Sequence, residues 1–230
     1  MMIDHIGYMY YPHADWMRII GRFALPIFAF FIAEGCFYTK NRLKYFGLTF
    51  ALGVVCQIVY YIAMKSLYMC ILITFSLAIL ITISYLDLKN AVYRGAPFYQ
   101  IAIKALLFVS AITATYSLNK ILKIDYGFYG CLLPLFFAIP NKNNLKLPLI
   151  EKNTKIDLFE KFDCLPLRLL FAVLPLVLIA EQAVGYYYYA LLSLLVLLLY
   201  SGNRGKLKLK YFFYIFYPLH LVILQGVSLI

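Results

Sequence analysis

Long apolar segments alternate with short polar connections along the 230 residues of the chain. A helix rises about 1.5 Å per residue and the hydrocarbon core of a bilayer is about 30 Å thick, so roughly 20 apolar residues suffice for a crossing. Eight segments approach or reach that length: 18–38, 45–64, 68–86, 99–118, 126–140, 167–183, 186–200 and 211–230. The pattern predicts an all-α, polytopic integral membrane protein with about eight transmembrane helices, folded as one membrane domain over residues 1–230.

The composition supports the membrane class. Hydrophobic residues make up 64% of the chain and charged residues 13%, and the mean hydropathy of +0.83 excludes a soluble domain of this length. The net charge of +11 does not indicate nucleic-acid binding, because the basic residues are spread over short connections instead of one face or arm. The lipid bilayer is therefore the expected partner.

Lys and Arg residues are distributed unequally between alternate connections. The connections after the first, third, fifth and seventh segments contain 14 of them, and the other three connections contain 3. By the positive-inside rule, the rich connections are cytoplasmic, including the long loop at about 141–166, and the C-terminus is outside. The same alternation makes residues 1–10 the outer end of a further, truncated N-terminal helix.

Few ionisable side chains lie in apolar surroundings, where each needs protein or a wet cavity beside it because lipid offers no partner. They are Asp4, His5, Arg22, Glu34, Lys104 and His220. Lys104 lies near a helix end, from which its charge can reach the interface. Arg22 and Glu34 are twelve residues apart on one helix, about 18 Å along its axis, so each is expected to pair with a group on another helix.

Asp4, His5 and His220 are the candidate catalytic residues. A carboxylate beside an imidazole can hold its tautomer and stabilise the imidazolium, but adjacent helical residues diverge by about 100°, which leaves a direct Asp4–His5 bond open. Tyr217 precedes His220 by three residues and shares its helix face. A base with a cation such as Arg22 near a developing oxyanion describes acyl transfer. The same groups also fit a proton relay or a substrate site in a transporter.

Several short motifs follow one another from end to end of the chain. They are IDHIG at 3–7, GRFALPIFAFFIAEG at 21–35, KYF at 44–46, ITF at 73–75, DYGFYG at 125–130 and KYFFYIFYPLHLVIL at 210–224. In this combination they resemble the TraX family, named for the conjugative pilin N-acetylase. The YPLH element also resembles the closing helix of membrane acyltransferases that modify sugars and envelope polymers.

The resemblance implies a multi-helix acyltransferase of the bacterial plasma membrane that uses cytoplasmic acetyl-CoA and no metal. By motif position, Asp4 and His5 match an acid–histidine pair and Arg22 matches a GR element. Glu34 matches an acidic position in the same helix, and His220 matches the C-terminal YP-x-H. We interpret His5 as the general base and Arg22 as a contact of the acyl donor or of the oxyanion.

The acceptor stays open between the amine of a pilin-like protein and a hydroxyl of an envelope glycan. Arg42 and Lys44, in the first basic connection, are expected either to attract the phosphates of acyl-CoA or to act only as topology determinants. The alternative functions are a small membrane transporter and a non-catalytic conjugation or envelope assembly factor.

Overall fold

A computed structural model describes residues 2–11, 13–64, 68–140, 165–182, 186–202, 216, 218–220 and 223. Its α-helices are α1 Met2–Met9, α2 Asp15–Arg22, α3 Ala24–Tyr38, α4 Arg42–Met64, α5 Ile71–Tyr93, α6 Phe98–Ile121, α7 Gly127–Ala138, α8 Leu165–Gln182 and α9 Ser193–Leu197. A 3₁₀ helix, Tyr186–Leu192, leads directly into α9. Residues 216, 218–220 and 223 are also helical.

The all-α membrane class predicted from the sequence is confirmed. Five helical stretches, Asp15–Tyr38, Arg42–Ile62, Ile71–Tyr93, Phe98–Ile121 and Leu165–Gln182, are long and apolar enough to cross a bilayer. Two further apolar stretches, Gly127–Ala138 and Tyr186–Leu197, are shorter. Most of the predicted loop at 141–166 and of the predicted span at 211–230, Tyr217 included, lies outside the described residues.

The hydrogen-bond pattern of the first crossing changes immediately after Arg22, although Phe23 keeps helical backbone angles of φ −65° and ψ −24°. Pro26 has no backbone N–H, and its ring conflicts with the carbonyl of the residue four positions earlier, which here is Arg22. The peptide N–H of Phe23 accordingly donates to the Ile20 carbonyl at 3.2 Å, and α3 begins at Ala24 with the proline in its first turn. Arg22 is therefore the last residue of α2, and α2 and α3 together form one apolar stretch from Asp15 to Tyr38.

Helix α5 is longer than the apolar segment 68–86 and ends at Tyr93. The extra turns contain Asp87 and Lys89. In the sequence, these two residues indicate the start of a connection. Asp87 forms an ion pair with Arg42 of α4, and the Lys89 ammonium donates to the Ile139 carbonyl, after the end of α7, at 2.8 Å. Polar partners on neighbouring helices thus extend the helix beyond its apolar part.

Helix α3 is the centre of the bundle. Its residues Leu25, Ala29, Phe30 and Ala33 are at most 1% exposed, and they join one core with side chains of α5, α7, α8 and α9. By contrast, only 11% of the residues in an apolar 18-residue stretch of α6 are buried within the protein. An apolar helix with that little internal burial has its surface available for lipid.

Connections gather at two opposite ends of the bundle. At the Arg22 end, which comprises Arg22, 68–70, 122–126 and 186–187, Met69 and Ile124 form a parallel backbone bridge. The basic end comprises 39–44, 87–104 and Ile139, and it holds the Arg42–Asp87 and Lys89–Ile139 contacts. This grouping agrees with the predicted separation of Lys/Arg-poor from Lys/Arg-rich connections.

A buried ion pair ties α3 to α8. Nη2 of Arg168 donates to Oε1 of Glu34 at 2.5 Å, and the Tyr200 hydroxyl donates to Oε2 at 3.2 Å. Nε of Arg168 donates to the Phe137 carbonyl at 3.0 Å, and its guanidinium lies over the Phe30 ring. The expectation that Glu34 pairs with another helix is confirmed. Arg168 was absent from our candidate list, although it lies one residue inside the apolar segment 167–183.

We predict that Glu34→Leu strongly destabilises the fold, because it leaves the Arg168 guanidinium buried without its carboxylate. Breaking a buried pair costs about 3–5 kcal/mol, measurable by thermal unfolding in detergent. The double variant Glu34→Leu/Arg168→Met should regain most of this loss, because it removes both charges. Asp87→Leu, which breaks the more exposed pair with Arg42, should cost about 1 kcal/mol or less. Equal losses for Glu34→Leu and Asp87→Leu would contradict the assignment.

Candidate active site

His5 and His220 come together from opposite ends of the chain. Their ring centroids are 5.6 Å apart, with 53° between the ring planes. His220 is 4% exposed and stacks on Phe216 at 5.2 Å. Nδ1 of His220 lies 2.9 Å from the Phe216 carbonyl oxygen. Because a carbonyl only accepts, this contact assigns the proton of the neutral ring to Nδ1 and its lone pair to Nε2.

The Asp4 carboxylate contacts two arginines of α2. Its Oδ1 lies 3.2 Å from Nη2 of Arg22 and 3.3 Å from Nη1 of Arg18. Gly21 permits this approach of α1 to α2, since a Cβ at that position would lie 2.2 Å from Cβ of Asp4. The sequence left open whether Asp4 orients His5. In the structure, the Asp4 carboxylate orients Arg22.

Arg22 is the most enclosed cation of this cluster, with 5% exposure. Its Nη1 donates to the Tyr126 hydroxyl at 3.3 Å, and its guanidinium carbon lies 4.3 Å from the centre of the Tyr187 ring. Its Nε has no hydrogen-bond partner among the described residues. A buried donor left unsatisfied costs about 1–3 kcal/mol, so this N–H is a natural contact for a bound anion or a developing oxyanion.

The DYGFYG motif builds the turn that presents Tyr126 to Arg22. Tyr126 has a left-handed backbone with φ 58°, which is unfavourable for a residue with a side chain. Its neighbour Asp125 is fixed by three hydrogen bonds. The backbone N–H of Asp125 donates to the Met69 carbonyl at 3.1 Å. The Thr74 hydroxyl donates to the Asp125 backbone carbonyl at 2.9 Å, and the Tyr68 hydroxyl donates to the Asp125 carboxylate at 2.9 Å. The turn is therefore held by α5 and by the residues that precede it.

A glycine makes room for this turn. A Cβ at Gly130 would lie 2.6 Å from Cβ of Tyr126, closer than carbon atoms approach without a shift. The last glycine of the motif is thus required by the placement of Tyr126. In the sequence, the signal for this turn is the polar Asp-Tyr-Gly at the start of an apolar helix, within the DYGFYG motif.

The other predicted site residues lie elsewhere. Glu34 belongs to the buried pair with Arg168 and contributes to the core. Arg42 and Lys44 are at the basic end, where Arg42 pairs with Asp87 and Lys44 is exposed. Tyr217 is outside the described residues. The structure therefore brings Asp4, His5, Arg22 and His220 together, and it adds Arg18, Tyr126 and Tyr187 to them.

These contacts define a class: a polytopic membrane protein in which a histidine pair and an aspartate–arginine pair, linked through the adjacent residues Asp4 and His5, lie near one end of the helix bundle. In the described part of the chain, no group of His, Cys, Asp and Glu side chains is suited to holding a metal ion. A family model described as "TraX protein" matches residues 1–228. The chain therefore belongs to the TraX family, and the resemblance drawn from its short motifs is confirmed.

Two relatives were found among known proteins. The chain is 27% identical to the probable fimbrial assembly protein FimC, serogroup H1, of Dichelobacter nodosus, over 97% of this chain and 89% of that protein. It is 50% identical to the uncharacterized protein RP591 of Rickettsia prowazekii (strain Madrid E) over 44 residues, which are 19% of this chain and 17% of that protein. No solved structure matches the chain.

We predict that Gly21→Ala separates α1 from α2, because its methyl group would overlap the Asp4 side chain. Overpacking of this kind costs about 1–3 kcal/mol, and it should lower the unfolding temperature in detergent. Gly47→Ala is the matched control, since a Cβ there meets no atom within 4 Å, and it should leave that temperature unchanged or slightly raised. Unfolding temperatures that agree for the two variants would exclude the close approach at Gly21.

A second prediction concerns Asp125, in the connection between α6 and α7. Burial raises the pKa of its carboxyl from 3.8 to about 6, against the opposing effects of the Tyr68 hydrogen bond and the Arg22 charge. Between pH 3.8 and about pH 6, the folded protein thus keeps a proton that the unfolded chain has released. The Asp125 carboxyl therefore favours the folded state most at low pH. That contribution is lost as the pH rises through about 6.

Asp125→Asn stays neutral at every pH and should lack this loss. Its unfolding free energy, relative to the original protein, should increase by up to about 3 kcal/mol between about pH 3.5 and pH 7. The measurement is thermal unfolding of both proteins in one detergent across that range. Parallel pH profiles of the two proteins would show that the carboxyl is not perturbed.

Proposed function

We propose that this TraX-family protein is a membrane acyltransferase that transfers an acetyl group from acetyl-CoA to an amine of a pilin-like protein or to a hydroxyl of an envelope glycan. The observation that carries the proposal is the contact between His5 and His220. The residue next to His5, Asp4, holds the buried Arg22, so a candidate base and a candidate oxyanion contact share one cluster. The link to pili is supported by the family and by a relative named as a probable fimbrial assembly protein.

The histidine pair supplies the base in this proposal. As the acceptor nitrogen or oxygen attacks the acetyl carbonyl, an imidazole takes its proton, and the new C–N or C–O bond forms. The carbonyl electron pair moves to oxygen and gives a tetrahedral oxyanion. Collapse of this species breaks the C–S bond, and the imidazolium returns the proton to the leaving thiolate. Acetylated acceptor and free CoA are the products, and the protein is unchanged.

Arg22 is the group best suited to the oxyanion. Its Nε–H is buried and has no hydrogen-bond partner among the residues described, so contact with a developing negative charge would satisfy it. Asp4 and Tyr126 contact the two terminal nitrogens, and Tyr187 covers the guanidinium plane. These three side chains would then be positioning residues, since they fix the direction of Nε without touching the acetyl group.

The predicted topology assigns a side to the reaction. The Arg22 end contains the Lys/Arg-poor connections, which the positive-inside rule places outside the bacterial plasma membrane together with the C-terminus. The acceptor would then reach the site from the outer side. Because acetyl-CoA is supplied by the cytoplasm, direct transfer would require the acetylated arm of CoA to extend along α3, about 22 Å for its 15 residues, to reach the cluster.

A second candidate function is a non-catalytic assembly factor, which is favoured by the relative from Dichelobacter nodosus, a probable fimbrial assembly protein. Such a protein needs the helical surface and the folded core, but it does not need proton transfer by the histidine pair. The two candidates therefore differ in their response to changes at His5 and His220.

The test is release of free CoA from acetyl-CoA by the purified protein in detergent, with a pilin-derived peptide, an envelope glycan fragment or water as acceptor. We expect His5→Ala and His220→Ala each to lower the rate by about 100-fold or more, the range attributed to general acid–base catalysis. His13→Ala is the matched control, because it changes an exposed histidine of the same chain. It should retain the original rate.

Thermal unfolding of all three variants separates loss of catalysis from loss of fold. Folded original protein that releases no CoA with any acceptor would reject the acyltransferase and leave the assembly factor. Equal rates for His5→Ala, His220→Ala and His13→Ala would reject the histidine pair as the base.

A further inference from the structure

A cavity of about 490 Å³ opens at the basic end of the bundle. It lies where the end of α3, the start of α4, the end of α5 and the start of α6 meet. Its polar lining consists of Thr39, Lys40, Arg42, Asp87, Asn90, Arg94, Gln100 and Lys104. The volume falls within the range of about 300–1,000 Å³ that is typical of small-molecule sites.

Positive charge in this lining is not balanced by negative charge. Four cations line the cavity with one carboxylate, Asp87, which pairs with Arg42. In the described part of the chain, Lys40, Arg94 and Lys104 form no ion pair. Three like charges around one cavity repel each other, and an anion between them would relieve that repulsion.

Lys104 lies near the start of α6, at the basic end of the bundle. The residues next to it in α6 are mostly apolar, and Leu106 and Leu107 are 69% and 57% exposed. Lys104 lines the cavity, one turn beyond Gln100. To this lining it therefore contributes a third cation that has no ion pair in the described part of the chain.

Two further features favour an oxygen-rich anion. The cavity includes the start of α6, a helix of 24 residues whose positive dipole end adds to the lysine and arginine charges. The amides of Asn90 and Gln100 add neutral N–H donors, and the Arg94 guanidinium offers the paired donors that match phosphate.

We infer that this cavity is a binding site for phosphate esters. Three cations that form no ion pair in the described part of the chain match a phosphomonoester or a pair of phosphate groups better than a single carboxylate. Two sources present this chemistry at a membrane surface: a soluble nucleotide, such as the phosphorylated adenosine end of CoA, and the head group of an anionic phospholipid.

The site is separate from the histidine cluster. Arg22 and Lys40 lie beyond opposite ends of α3, which is about 22 Å long for its 15 residues. Phosphate binding therefore does not depend on proton transfer at His5 and His220, and the two proposals can fail independently.

Two binding experiments on the full chain distinguish the sources. In the first, protein in a neutral detergent is titrated calorimetrically with adenosine 3′,5′-bisphosphate, which carries the phosphates without the thiol arm. In the second, nanodiscs of phosphatidylcholine with a small fraction of phosphatidic acid are assembled, and the phosphatidic acid retained by the protein is measured by native mass spectrometry. Arg94→Gln/Lys104→Gln is the test variant, and Lys123→Gln, which changes an exposed lysine at the Arg22 end, is the control.

We expect saturable binding of at least one probe, weakened by about tenfold or more in the Arg94→Gln/Lys104→Gln variant and unchanged in Lys123→Gln. Binding should fall at higher salt. Binding of the bisphosphate identifies a soluble nucleotide source, and retention of phosphatidic acid alone identifies a lipid source. His5→Ala should bind like the original protein. Absence of binding by both probes, or equal binding by the test and control variants, would overturn the inference, provided that unfolding temperatures show the variants to be folded.

Discussion

A charge inside an apolar bundle needs a partner from another helix, and this constraint organises the fold around α3. Arg22, just before α3, contacts Asp4 of α1 and Tyr126 before α7. Glu34, near its other end, contacts Arg168 of α8 and Tyr200 after α9. Lipid cannot solvate either charge, so each pairing fixes which helices surround α3. The apolar core between the two pairs then fills with residues such as Ala29 and Phe30.

The two charge pairs differ in how fully their charged groups are paired. Glu34 and Arg168 satisfy each other among aromatic rings and a carbonyl oxygen, which is the arrangement of a structural pair. Arg22 keeps an N–H without a partner among the described residues, and it lies in the same cluster as two histidines. Arg168 and Arg22 thus differ in how many of their N–H groups have hydrogen-bond partners. We therefore assign a structural role to the Glu34–Arg168 pair and expect chemistry at Arg22.

Local strain is concentrated beside Arg22. The left-handed backbone of Tyr126 is held by the hydrogen bonds of Asp125 and made possible by the absence of a side chain at Gly130. Strained backbone persists where the surrounding structure overdetermines it, and such positions cluster at functional sites. At the opposite end of the bundle, the basic cavity collects cations that α4, α5 and α6 bring to one place. The histidine cluster proposed for proton transfer and the cavity proposed to bind phosphate esters are thus separated by about the length of α3.

The sequence by itself determined the helical membrane class, the apolar segments and the family, because hydrophobic period and motif order are local properties of the chain. It also determined that Arg22 and Glu34 could not pair, since their spacing on one helix is fixed by helix geometry. It did not determine the partners. Asp4 is adjacent to His5 but bonds to Arg22. Lys104 lines a cavity. Asp125 and Tyr126 form a turn that hydrogen bonds hold in place. Only the tertiary structure decided these contacts, because they depend on which helix faces are brought together and on the close approaches that Gly21 and Gly130 allow.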